Sequence, residues 1–597
     1  MRRCVRCLLA LVVATAALAL MPGLAAAVTS PSPSPSPSAT PLVFKVGIGE
    51  DVDGINPFTN WSSITWEGFR LNYDFLTWYD ANYKPTPDLA TSWSFTDGGR
   101  VWTFKIRSGV TWHDGVPLTA HDIAFTYNYI IDNSDYTWAY TQYFDHVTKV
   151  EAPDDTTLVI TSDRPNAGML ALYVPILPEH IWSKIPAKSL TTLKDVPKVG
   201  SGPFMFDQVV KSKYVSMKAN KKYFGGAPTI DELYFMIYQD SDGLVQDYKA
   251  GNLDVAVVES PSYLRSLQNV KGSKTVAADR IGFHELGFNC YQSPKSKGNP
   301  LLLDAHIRQA VHWAIDKQKI DQQAMDGKAV VGTSVISPAA GDWHWNPPAG
   351  QLVTYNPEKA KQILDAAGYK DRDGDGIRED SKGRKLSFRL AAMSAYPNDI
   401  MAAKMIHQWL SDVGIQTKLE IVDEGAFGDR VADNADMDMY IWSWGGDIDP
   451  AFMLSCFTTT QILNWSDCMY SNPVYDALYK QQAAAVDRPE RLRVIHQMQQ
   501  ILYQQDPYIV LWYAVDSQAY RTDKWTGYQL VPKGTGRPVW TFLRGTYIHL
   551  KPVVAEAKTS GGIGGGAIAG IVVAVVVVCG AVVFLLLRRR RPQSEEL

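Results

Sequence analysis

The chain has 597 residues, with 58 Lys and Arg set against 62 Asp and Glu for a net charge of −4. So even a balance argues neither for a nucleic-acid partner nor for strongly acidic ones. With the two ends set aside, about Leu42–Pro552 remains, enough for more than one domain.

The N-terminus places Arg2, Arg3 and Arg6 before an apolar run, Leu8–Leu20, and the small residues Ala25, Ala26 and Ala27. This is the pattern of a secretory signal peptide over residues 1–27. Cys4 and Cys7 precede the apolar run, so no cysteine is placed to carry a lipid anchor. Residues 28–41, with Pro31–Pro41 reading PSPSPSPSATP, form an extended, solvated linker.

In the body, Trp102, Phe104 and Ile106 alternate with Thr103, Lys105 and Arg107, which predicts a half-buried strand. His113-Asp114-Gly115 supplies a turn, and Thr119 an N-cap for a helix over Ala120–Ile130. Ile307, Val311, Ala314 and Ile315 share one face of a helix across His306–Ile320. Asn356-Pro357 opens a helix that Gly368 closes. Asp487–Gln504 reads as a further helix and Tyr508–Tyr513 as a buried strand.

At the C-terminus a linker over 551–564 leads to an uncharged, apolar run that predicts a transmembrane helix over 565–587. Arg588–Arg591 follow at once, so the tail 588–597 is expected in the cytoplasm and the large domain outside, in a single-pass cell-membrane protein.

Cys290, Cys456 and Cys468 are the cysteines left in the exported body. Cys456 and Cys468 are close in sequence, which predicts a disulfide worth about 3 kcal/mol in the chain-entropy model. Cys290 is then a buried free thiol. Asp371, Asp373 and Asp375 with Gly376 mimic the start of a calcium loop, but Lys382 stands where the loop needs a glutamate. A solvated hairpin turn is expected there, and no cofactor anywhere. His284-Glu285 begins like a zinc-protease motif, but Phe288 replaces the second histidine. Gly200-Ser201-Gly202 lacks the spacing of a nucleophile elbow. No reaction constellation assembles, so a hydrolase is not expected.

The stretch Pro87–Tyr129 resembles the signature of family 5 extracytoplasmic solute-binding proteins, the oligopeptide- and dipeptide-binding class serving ABC importers. Val199–Tyr223, Asp231–Val257, Gly287-Phe288-Asn289 and His306–Ile320 are similar to further blocks of that family. The resemblance implies two α/β lobes with a hinge, of the periplasmic-binding-protein kind. Lobe I is placed at 42–79, 200–288 and 507–550, lobe II at 289–506, and an inserted domain at 80–199. The hinge is expected near Phe288-Asn289 and Asp506–Val510.

The resemblance also implies a function. The chain is expected to capture short peptides between its lobes and deliver them to ABC permease subunits with cytoplasmic ATPases. The alternatives are an oligosaccharide, in view of 18 Trp and 29 Tyr, a nickel or other metal chelate, or a surface sensor. The ligand site is placed on Trp442-Ser443-Trp444-Gly445-Gly446-Asp447. Trp444 and Asp447 match the Trp-x-x-Asp that sets a carboxylate against a peptide α-ammonium in relatives, and Gly445 and Gly446 leave room for the ligand. The competing role for Asp447 is to cap a helix starting near Pro450. Asn56-Pro57 resembles a family turn, after which Trp61 and Ser63 are expected to line the cleft. A charged cleft would favour peptide; one paved by Trp61, Trp442 and Trp444 would favour sugar.

Overall fold

A computed structural model describes residues 40–553, apart from 61, 259–260, 532 and 535. The signal peptide, nearly all of the 28–41 linker, the span expected at 565–587, the basic tail and Trp61 lie outside the described residues. Among the described residues no helix is long and apolar enough to cross a membrane.

An 11-stranded mixed sheet runs through the molecule. Its order is Gln416–Val422, Ser387–Met393, Met439–Gly445, Ser273–Phe288, Tyr508–Arg521, Val255–Val258, Val43–Ile48, Glu232–Ile237, Tyr214–Ala219 and Phe204–Val210. The short strand Val330–Val331 is added on Tyr508–Arg521. Helices pack on this sheet to make two lobes. One core gathers Phe44, Phe204, Phe235 and Val255 with Tyr520 and Tyr547. The other gathers Ile281–Phe288 with Ile307, Leu390, Ile406, Ile441 and Ile509.

The two long strands, Ser273–Phe288 and Tyr508–Arg521, pair antiparallel from Ser273 opposite Arg521 to Gly287 opposite Tyr508. They serve both cores. Val276 and Tyr520 pack in the first, and Phe283 and Tyr513 in the second. The packing therefore changes inside the strands rather than at Phe288-Asn289 and Asp506–Val510. At the change the ladder slips between Asp279 and Phe283. Such a bulge bends a strand and re-aims its side chains. A Cβ on Gly282 would lie 2.7 Å from the Trp444 carbonyl oxygen, so only glycine fits the slip.

Local signals formed as their chemistry dictates. The strand Val101–Ile106 buries Trp102, Phe104 and Ile106 and joins a four-stranded antiparallel sheet with Ala90–Thr96, Thr157–Ser162 and Val147–Asp154. Thr119 caps the helix Ala120–Asp132 in a capping box with Asp122. Asn356 caps Pro357–Ala366, and Gly368 follows at φ +91°. Asp487 caps Arg488–Gln505. The helix expected over His306–Ile320 is instead two, Ala305–Ala314 and Lys317–Ala324. Ile315 is extended at ψ 123°, and Asp316 caps the second helix.

Two further expectations concern residues away from the cleft. Cys456 and Cys468 are not bonded; both are buried free thiols, as is Cys290. The Cys456 thiol turns back on its own helix to the Phe452 carbonyl at 3.5 Å, while Cys468 Sγ lies 3.9 Å from Ser466 Oγ. Asp371, Asp373 and Asp375 do cluster on the surface. The Lys385 ammonium, however, lies 2.8 Å from Asp373 and also pairs with Asp375. Asp371 is spent on the Gly374 and Gly376 N–H groups. The loop is a turn closed by a lysine.

Candidate functional site

The strand Met439–Gly445 ends at the bulge. There the Gly446 N–H donates to the Ile281 carbonyl at 3.1 Å. A Cβ on Gly446 would meet Ile281 at 2.5 Å, so this glycine serves packing against that strand. The chain then turns through Asp447-Ile448-Asp449 with Ile448 buried beneath, which leaves the two carboxylates to different fates.

Asp449 is fully engaged. Arg491 grips it through Nη1–Oδ2 at 2.6 Å and Nη2–Oδ1 at 2.7 Å, and the Ala451 N–H donates to Oδ1 at 2.9 Å. It thus serves the start of the helix Ala451–Ser455, the role considered for Asp447. Asp447 makes no ion pair among the described residues and lines the cavities between the lobes. Burial raises its pKa to about 6, helped by the charge of Asp449 and opposed by Arg70 and a hydrogen bond from Tyr143.

Two cavities meet at Asp447, of about 510 Å³ and about 480 Å³. The larger takes Ser63, Gly445 and Gly446 into its wall, as expected. Trp442 and Trp444 are not in either wall. Trp442 packs edge-on to Phe427 with centroids 5.3 Å apart. Trp444 donates its indole N–H to the Tyr508 hydroxyl at 3.1 Å and packs behind Phe452.

Other aromatic residues pave the larger cavity, among them Trp66, Tyr173, Trp465, Trp540 and Phe542. Trp66 and Tyr173 stack with centroids 4.8 Å apart. Three arginines join the same wall. Arg70 lies over the Phe542 ring at 4.3 Å and pairs with Glu67 at 2.8 Å. Arg537 pairs with Asp516, and Arg280 approaches the same carboxylate at 3.8 Å. Burial lowers the Arg537 pKa to about 10, with the positive charges of Arg280 and Arg70 adding to that. The cavity thus carries a carboxylate, guanidinium groups and apolar rings in one wall, a set that suits a zwitterion with apolar parts. No motif marked these arginines or rings, because they come from segments far apart in the chain.

The model of bacterial extracellular solute-binding proteins, family 5 (middle), matches residues 84–464. The oligopeptide-binding protein AppA of Bacillus subtilis is 30% identical over 476 residues, covering 78% of this chain and 84% of AppA. The dipeptide-binding protein of Escherichia coli is 25% identical over 517 residues, covering 81% and 91%. The structure of AppA in complex with a nonapeptide superposes with a TM-score of 0.69 at 26% identity, over 86% of this chain and all of that one. The chain belongs to the bacterial extracellular solute-binding proteins of family 5.

Proposed function

We propose that this protein is the extracytoplasmic binding protein of an ABC peptide importer, without chemistry of its own. The observation that carries this reading is Asp447, a carboxylate with no ion-pair partner among the described residues that faces a cavity also lined by Arg70, Arg280 and Arg537. Burying a cation there is favourable only against a fixed counter-charge, which Asp447 supplies to a peptide ammonium. Arg280, held only loosely by Asp516 at 3.8 Å, would answer a ligand carboxylate. The oligopeptide- and dipeptide-binding relatives support the choice of peptide.

Closure follows from the same geometry. A ligand touching Asp447 on one lobe and Arg70 on the other is bound best when the lobes meet, and so shifts the population toward the closed form. The slip at Asp279–Phe283 and its partner strand are where we place the hinge. The sequence features at 1–27 and 565–597 make the protein an exported one held at the membrane, which raises its concentration near a permease.

The aromatic paving favours one rival, an oligosaccharide stacked on Trp66, Trp465 and Trp540. A thermal-shift assay against short peptides and against cello- and xylo-oligosaccharides decides between them, since a ligand that binds only the folded form raises its stability. Stabilisation by peptides that is lost in Asp447→Ala supports the proposal; stabilisation by sugars alone overturns it.

A further inference from the structure

Asp447 does not close the cleft. It stands where the cavities meet, and beyond it the compartment of about 480 Å³ runs between the region of the four-stranded sheet and the helices of lobe II. That lies within the range of about 300–1,000 Å³ usual for ligand pockets. A peptide that ended at Asp447 would leave most of it unfilled.

The compartment also carries charges without a mate. Among the described residues the side chains of Asp145, Arg164 and Lys480, all in its wall, make no hydrogen bond or ion pair. Arg164 is the telling one. It follows the strand Thr157–Ser162 and is half-buried. Asp145 feels its field but stays beyond ion-pair distance. Of the other guanidinium groups discussed above at these cavities, Arg491, Arg70 and Arg537 are paired with Asp449, Glu67 and Asp516, and Arg280 lies 3.8 Å from Asp516. A partly desolvated guanidinium with no acceptor is costly, and a planar carboxylate is the partner its fork matches.

We propose that this compartment is a second ligand subsite in which Arg164 receives a carboxylate of the bound peptide, so that the peptide runs past Asp447 on both sides. The inference rests on the peptide reading above. Asp447 then takes a lysine or arginine side chain within the peptide as readily as an N-terminal ammonium. The carboxylate on Arg164 is an acidic side chain or the C-terminus, which share the same chemistry.

The test uses the full-length protein and a defined peptide library. Each sequence is made free, N-acetylated, C-amidated, and with Asp and Glu changed to Asn and Gln. Captured peptides are identified by mass spectrometry and titrated calorimetrically on wild type, Arg164→Gln and Arg164→Lys. N-acetylation is expected to change affinity less than about threefold for peptides with an internal basic residue. Arg164→Gln should weaken peptides that carry the carboxylate by about 10- to 100-fold and leave their amide counterparts unchanged, with Arg164→Lys recovering part of the loss. Loss confined to the Asn/Gln series or to the C-amide series says which carboxylate is held.

Equal effects of Arg164→Gln on acid and amide peptides, no effect on either, or loss of binding on N-acetylation would each overturn the inference while the peptide reading stands. Binding of no peptide by wild type would remove both. An unchanged melting temperature of the unliganded variant separates a lost contact from a lost fold.

Discussion

Asp447 and Asp449 lie two residues apart on one turn, and they differ in everything but sequence position. Asp449 has a bidentate arginine and a backbone N–H. Asp447 has a tyrosine hydroxyl and a cavity. A charge that the fold completes holds structure; one that the fold leaves incomplete is the one for which we propose a ligand as partner. The contrast is physical, because a desolvated carboxylate without a cation disfavours its own ionised form, and the pKa near 6 at Asp447 registers that cost.

The sharpest way to break the contrast is to take away the partner that completes Asp449. Arg491 is 5% exposed and also donates to Gln482 at 3.1 Å. Arg491→Ala should destabilise the protein by about 3–5 kcal/mol, the cost of stranding one member of a buried pair. Urea denaturation would show it as a lower midpoint at unchanged slope. A variant as stable as wild type would mean that Asp449 is not held by this pair.

The companion substitution reverses the pattern. Asp447→Ala should leave unliganded stability unchanged or raised, because it removes an uncompensated charge beside Asp449. It should weaken peptide binding by about 2–5 kcal/mol. Loss of stability with unchanged affinity would exchange the roles assigned to the two residues.

How much of this was legible in the sequence follows from what a periodic pattern can report. Capping at Thr119, Asn356 and Asp487 and the buried stripe from Ile307 to Ile315 depend on neighbours a few residues away, so they could be read directly. Asp447 was visible because a short motif marks it. The strand Tyr508–Arg521 was read only as far as Tyr513, since Asp516 and Gln518 break its apolar run. Distant residues make those polar groups tolerable: Arg537 pairs with Asp516, and the Gln518 amide donates to the Val539 carbonyl at 3.0 Å. The cavity walls escaped for the same reason, as Arg70, Tyr143, Arg280 and Phe542 come from segments far apart in the chain and meet only in the folded protein. The two Trp residues chosen for their place beside Asp447 belong instead to packing behind the cleft.

A subtler separation of the two carboxylates is by pH. The Asp447 pKa of about 6 lies above its ordinary 3.8. Between those values the folded protein holds a proton that the unfolded chain has released, so this group's contribution to stability is full below the lower value and is lost as pH rises through the higher. Binding a cation needs the ionised form and runs the other way. Affinity for a peptide ammonium should fall as pH is lowered through 6, and that dependence should vanish in Asp447→Asn. Calorimetric titrations at several pH values would show it, and a flat affinity profile in wild type would detach Asp447 from the ligand charge.

The smallest effect expected is none at all. Cys456 and Cys468 are free, and burial raises both thiol pKa values, which keeps them protonated and unreactive. A bridge closing the loop between them would add about 3 kcal/mol, yet the second core already holds both sulfurs in place, next to Phe457 and Tyr475. A reductant should therefore leave the melting temperature where it is. Alkylation mapped by mass spectrometry should mark both cysteines only after denaturation without reductant; protection that persists in denaturant until reductant is added would show that the exported protein forms the bond. That result would turn a segment held by packing alone into one held covalently beside the turn that carries Asp447 and Asp449.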